Sequence, residues 1–118
     1  MKIVYIAHPV GGDVDGNLQK VADIGRKINL EEPGVVPFAP YYYDCATLQD
    51  AVPEERAKGL KNNAALMRAC KVDEVRLYGN KVSSGMWGEV ELAHELGIPV
   101  VAMTEGTKKE YGELVNNK

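Results

Sequence analysis

One carboxylate stands out by its setting. Glu89 lies in the run Ser83-Ser84-Gly85-Met86-Trp87-Gly88-Glu89-Val90-Glu91-Leu92-Ala93-His94-Glu95-Leu96-Gly97-Ile98-Pro99-Val100. The run reads as a loop, a helix, a glycine stop and a buried strand. On a helical period Gly85, Glu89, Ala93 and Leu96 share one face, flanked by Met86 and Leu92, and that face is expected against a sheet. Glu91, His94 and Glu95 point the other way. An unpaired charge inside an apolar stripe is costly. Glu89 is therefore either a structural acid tied to partners at a helix start or a group kept for chemistry. Its place near a helix N-terminus, with free N–H groups and a favourable dipole, also suits an anionic ligand.

Three other groups of residues have chemical potential. His8-Pro9-Val10-Gly11-Gly12 follows an apolar first segment, and its paired glycines allow a ligand to approach the backbone; they equally make a plain turn. This is neither GxGxxG nor a Walker loop. Tyr41-Tyr42-Tyr43-Asp44 follows the second apolar segment. Three consecutive tyrosines cannot all face a core, so at least one overlooks a crevice or a subunit interface. Tyr43 and Asp44 are assigned to the substrate side. Arg56 sits at the start of a helix, placed either to meet a phosphate or carboxylate or to pair with Asp50 or Glu55 at the surface.

The elements that must position these groups alternate. Lys2–Ala7 is apolar and β-branched, as a central parallel strand requires. Helices are expected over 17–30, capped by Asp15 or Asn17, with Leu18, Val21, Ala22, Gly25 and Ile28 on one face, and over 53–70, opened by Pro53 and acids, with Leu60, Ala64 and Met67 inward. Val35–Phe38 is a short strand that Pro37 consigns to an edge. Residues 47–52 read as a loop or short helix. Asp73–Gly79 is a third strand whose mixed apolar and charged residues suggest less burial than the first. Pro99–Met103 is a fourth. Thr107-Lys108-Lys109-Glu110 reads as a capping box opening a last helix that frays over Asn116–Lys118. The order β-α-β-α-β-α-β-α predicts a three-layer, Rossmann/flavodoxin-like α/β sandwich with a parallel sheet of four to five strands and right-handed crossovers. Ligands bind such sheets at the carboxyl ends of strands. The His8–Gly12 loop, the Tyr41–Asp44 loop and the Ser83–Glu89 helix start all emerge there, which argues for one small-ligand site.

Composition narrows the ligand. The 118 residues suit one domain, 1–118, with 45% hydrophobic and 26% charged residues. The net charge of −3, without a basic stripe, argues against a nucleic-acid duplex but not against a small phosphorylated molecule. No run approaches bilayer length, and Met1–Ala7 is too short for the core of a signal peptide, so no membrane partner is expected. Cys45 and Cys70 have neither metal spacing nor a disulfide framework, which fits a reducing cytoplasm. With two histidines and no CxxC or HxxxH pattern, neither a metal nor another cofactor is expected.

The residues now collected resemble the nucleoside 2-deoxyribosyltransferase-like superfamily, and most closely its small bacterial and phage members of the DUF4406 type. The likeness spans nearly residues 2–103. It is carried by Tyr5-Ile6-Ala7 with the His8–Gly12 loop, Asn17, Pro37-Phe38-Ala39-Pro40, then Asp50, Pro53, Glu55 and Arg56. Its most specific part is Asp73–Gly79 followed by Ser83, Gly85, Met86 and Glu89, then Ala93 and Gly97-Ile98-Pro99-Val100. The resemblance implies that Glu89 is the nucleophile, attacking C1′ of a (deoxy)ribosyl group to release the base and leave a glycosyl-enzyme for water or a second base. A carboxylate suits a cationic transition state at C1′ and an ester intermediate. Tyr5 matches the first-strand tyrosine that holds this carboxylate, and read alone it is equally an ordinary buried strand residue. Ser83, Gly85 and Met86 fall on the substrate side with His8, Gly11, Gly12 and Arg56. Where relatives acting on free nucleosides carry an acid, Ser83 resembles the nucleoside 5′-monophosphate N-hydrolase branch, because a hydroxyl can donate to a phosphate that an acid would repel. Ser83 also serves as a simple helix cap.

Two positions depart from the family pattern. Its base-protonating Asp, on the helix before the third strand, is replaced by Asn62 and Asn63, with Asp44 and Asp73 as substitutes. His8 stands where many relatives have Gly or Ser, and there it contacts a phosphate or crowds the ribose. The expected activity is hydrolysis or transfer at the N-glycosidic bond of a (deoxy)nucleoside 5′-monophosphate or nucleoside. The alternative is a non-catalytic nucleotide-binding module of the same fold, as sensor or sequestering protein. The exposed tyrosines and the family habit of completing sites across subunits imply a homo-oligomer, a dimer or tetramer.

Overall fold

The computed structural model describes residues 1–116. These form β1 (Lys2–Ala7), α1 (Val14–Glu31), β2 (Val35–Phe38), α2 (Pro40–Thr47), α3 (Pro53–Ala69), β3 (Glu74–Leu77), α4 (Ser84–Glu95), β4 (Val100–Ala102) and α5 (Glu105–Asn116). The four strands pair in parallel in the order β2-β1-β3-β4. The fold is a three-layer Rossmann-like α/β sandwich.

The register fixes the layers. Tyr5 pairs with Val75 and Ala7 with Leu77. These four side chains share one face and pack with Met67 of α3 and with Met86, Val90 and Ala93 of α4. Ile6 faces the other way, onto Val21 and Ile28 of α1. Each such buried aliphatic contributes about 1.5–3 kcal/mol. The chain passes from β1 to its neighbour β2 and then crosses back beyond β1 to β3. The strand order therefore reverses between β1 and β3, and a crevice opens beyond their carboxyl ends.

Several expected elements take a different form. The Tyr41–Asp44 segment is helix, not loop: Pro40 at the first turn has the φ a helix start needs, and α2 runs through it. β3 is as buried as β1, with Val75 and Leu77 fully enclosed. It tolerates a charge because Arg76 is paired on the α1 face with Glu32 at 2.9 Å and Glu74 at 2.6 Å. In α4 the buried stripe is Met86, Val90 and Ala93, rotated from the expected one; Gly85 is exposed and Leu96 lies past the last turn, 37% exposed. In α3 Met67 is buried, whereas Leu60 is 60% exposed.

The caps also move. Asp13, not Asp15 or Asn17, caps α1 by accepting from Gly16 N. Thr104, not Thr107, opens α5; its hydroxyl accepts from Thr107 N, while Thr107 Oγ1 reaches back to Thr104 N at 3.2 Å. The expected fraying at Asn117 and Lys118 lies outside the described residues. The Gly97 stop is as expected, with φ +73° and Ile98 N donating to Ala93 O.

Candidate functional site

The crevice beyond β1 and β3 encloses about 400 Å³. Its walls come from the loop after β1, from α2 and α3, and from the start of α4. Two local features bring these walls together. Gly79, at φ +94°, lies so close to the loop after β1 that a Cβ there would meet Pro9 Cδ at 2.6 Å, so only glycine lets the β1 and β3 exits run side by side. Asn17 sends its Nδ2 to Val10 O at 3.0 Å and Gly11 O at 3.4 Å, tying the same loop to the first turn of α1.

Of the residues expected in the site, His8, Gly11, Asp44, Arg56, Ser83, Gly85, Met86 and Glu89 line this cavity. Tyr5 lies beneath it, fully buried, with its hydroxyl donating to Glu89 Oε2. Gly12 is not in the wall; its φ of +92° shapes the loop behind Gly11. Tyr43 is not there either. Successive helical residues point about 100° apart, so α2 turns Tyr43 outward, 73% exposed, and gives the wall to Tyr41. Tyr41 donates to Ile6 O at 2.6 Å, which locks α2 onto the end of β1.

Glu89 sits beside the buried stripe of α4, where the helix start overlooks the crevice. Enclosure of its carboxyl pushes its pKa from 4.5 to about 7, and the donors of Tyr5 and Asn63 pull against that rise. The paired phenol feels the same burial and the neighbouring carboxylate, so Tyr5 stays protonated far above neutral pH. Among the described residues no Lys or Arg forms an ion pair with Glu89. Glu89 is thus a carboxyl poised to change charge near neutrality and steered by neutral hydrogen-bond donors.

Asn63 completes that triad. Its Nδ2 donates to the Tyr5 hydroxyl at 2.7 Å. The sequence marks Asn62 and Asn63 only as standing where the family carries its acid. The helical series Arg56, Gly59, Leu60, Asn63, all in the cavity wall, was the available signal. Asp50, expected beside Arg56, also lines the cavity, and so does Lys81, which nothing in its spacing marks. Of the two substitute acids, Asp44 is in the wall. Asp73 is not, because its Oδ2 accepts from Ile3 N at 2.7 Å at the opposite end of the sheet.

His8 is 6% exposed, and its Nδ1 lies 2.7 Å from Pro9 O. A carbonyl only accepts, so Nδ1 carries the proton. Burial holds the ring's pKa below its ordinary value, so His8 is a neutral imidazole at pH 7 rather than a cation for a phosphate. Ser83 caps α4 by accepting from Met86 N at 3.3 Å, which leaves its hydroxyl proton free for a ligand. Arg56 stands 3.9 Å from Asp50 at the rim, a solvent-exposed pair that a ligand anion could divide.

A family model described as a domain of unknown function (DUF7768) matches residues 2–103. The chain belongs to the DUF7768 family. Comparison with curated proteins gives no match. The match to DUF7768 takes in β1 through β4 and so every wall of the cavity. Among the described residues no helix is long and apolar enough to cross a membrane.

Proposed function

We propose that this DUF7768 domain cleaves the N-glycosidic bond of a (deoxy)nucleoside 5′-monophosphate or nucleoside, by hydrolysis or by transfer to another base. The observation that carries this is the Glu89 carboxyl: enclosed, without an ion-pair partner among the described residues, and held by Tyr5 at the floor of a ligand-sized cavity. A purely structural carboxylate gains nothing from such a setting. The resemblance of Tyr5, Ser83, Gly85, Met86 and Glu89 to the nucleoside 2-deoxyribosyltransferase-like superfamily supports the same chemistry. In this scheme ionised Glu89 forms a bond to C1′, the base departs with the electrons of the C1′–N bond, and water or a second base then takes the sugar from the ester. Tyr5 and Asn63 orient the carboxylate. Ser83, Gly11 and Arg56 form the side facing a 5′-phosphate. The ligand is a small molecule, without nucleic-acid duplex or membrane. The setting is the cytoplasm, which suits the free Cys45 and Cys70. The exposed Tyr43 and Tyr42 supply surface for a dimer or tetramer.

A second reading, a nucleotide-binding module without turnover, is favoured by Asn62 and Asn63 standing where the superfamily carries its acid. One assay separates the two. Wild type and Glu89→Ala are incubated with deoxy- and ribonucleosides and their 5′-monophosphates, and free base is measured by chromatography. Base released by wild type alone establishes the glycosidic chemistry. Ligand-induced thermal stabilisation without release from any compound overturns it in favour of the binding module.

A further inference from the structure

Among the described residues, two acceptor atoms in the cavity wall have no hydrogen-bond partner. Asp44 Oδ2 and Asn63 Oδ1 are both shielded from solvent, and both residues line the cavity. Their orientation is set by their neighbours. The Tyr5 hydroxyl gives its proton to Glu89, so toward Asn63 it only accepts. Asn63 must therefore turn Nδ2 to Tyr5, at 2.7 Å, and Oδ1 away. Asp44 accepts from Asn62 Nδ2 through Oδ1 at 3.4 Å, which leaves Oδ2 over. Buried polar atoms are normally paired, and each exception calls for an explanation. Here two exceptions occur in one wall, both of one polarity.

We infer that this wall selects a nucleobase presenting amino hydrogens, of the cytosine, adenine or guanine kind, over its oxo counterpart. An exocyclic amino group brings N–H donors to acceptors that otherwise remain unpaired. A carbonyl in the same place sets acceptor against acceptor and leaves the wall unsatisfied, which is the situation in which polar sites discriminate most strongly. The ligand class rests on the proposed function. The direction of selectivity rests on Asp44 and Asn63 alone.

The test uses matched nucleotides differing by amino against oxo: cytidine and uridine 5′-monophosphates, and adenosine and inosine 5′-monophosphates, each in ribo and deoxy form. Their affinities for the Glu89→Gln protein are measured by calorimetry, so that turnover does not interfere. The amino member of a pair is expected to bind about tenfold tighter or more. In a second protein carrying Asp44→Asn as well, the new amide can rotate to donate, and the preference is expected to shrink or invert. Equal affinity within every pair, or tighter binding of the oxo member, overturns the amino rule and leaves the proposed function standing. No binding of any nucleotide overturns both.

Discussion

Two ionisable side chains, Arg76 buried and Glu89 half-buried, lie on opposite faces of the same sheet, and they are treated differently. Arg76 on β3 points to the α1 face and is met by Glu32 and Glu74, with Lys2 adding a further bond to Glu74 at 2.9 Å. Glu89 on α4 belongs to the other face and, among the described residues, meets neutral donors alone, Tyr5 and Asn63. Their protonation follows. Hydrogen bonding from Arg76 holds Glu32 below the ordinary carboxylate range; burial pushes Glu74 up, but the bonds from Arg76 and Lys2 outweigh it. Glu89 moves the other way. A charge that serves the fold is neutralised by its opposite, whereas one left with neutral donors retains the ability to change state. That difference is why the proposed chemistry is placed in the crevice beyond β1 and β3 rather than at the ion cluster.

The largest expected effect is on turnover. Glu89→Ala should lower base release by about 10³-fold or more while nucleotide affinity persists. A variant that still turns over at the wild-type rate would place the nucleophile elsewhere.

The ion cluster should show itself in stability instead. Arg76→Ala leaves Glu74 half-buried without its main partner and should cost about 3–5 kcal/mol in urea unfolding, with no specific effect on ligand affinity in the protein that remains folded.

The pH dependence of stability should have opposite signs in the two regions. Glu32 and Glu74 have folded pKa values below the unfolded 4.5, so their contribution is present above that pH and lost as pH falls. Glu89 is raised to about 7, so the folded state holds its proton more tightly and stability falls as pH rises from about 4.5 to 7. At pH 8 the penalty is on the order of 3 kcal/mol, so Glu89→Gln should stabilise by about that much there and by almost nothing below pH 4.5. Thermal melts across that range check both the size and the sign. Equal effects at pH 4 and pH 8 would show that Glu89 is not held in a desolvated site.

The smallest effect sharpens the role of the hydrogen bond. The acid limb of kcat/KM should have its midpoint near 7, the folded value for Glu89. Tyr5→Phe removes a donor that favours the ionised carboxylate, and it should move that midpoint upward by about one pH unit. A profile that loses amplitude without shifting would mean Tyr5 acts by packing alone.

Much of this was legible along the chain. The alternation of apolar strands with amphipathic helices gave the parallel sheet, Pro37 gave the edge, and the glycines gave the stop of α4 and the loop after β1. The positions that misled were those where two local rules compete. Tyr41-Tyr42-Tyr43 looks like a strand exit, yet Pro40 starts a helix, and helical rotation hands the cavity to Tyr41 instead of Tyr43. Arg76 made β3 look half-exposed because its partners, Glu32 and Glu74, include one 44 residues away. The buried stripe of α4 sits next to the one expected because small residues at the helix start allow more than one rotation, and packing against β3 selects one.

The sequence by itself determined the class of fold, the edge of the sheet where the crevice opens, and Glu89 as the residue to examine. These depend on short-range properties: periodicity, turn chemistry, and a charge among apolar neighbours. Only the tertiary structure decided who faces Glu89. Tyr5 and Asn63 are 58 residues apart, and Tyr5 and Glu89 84 apart, so no local pattern ties them. The crevice wall, its unpaired acceptors and the raised pKa of Glu89 arise where β1, α2, α3 and α4 meet. Hydrogen-bond partnership and desolvation are properties of the assembled space, set by which distant segments exclude water together.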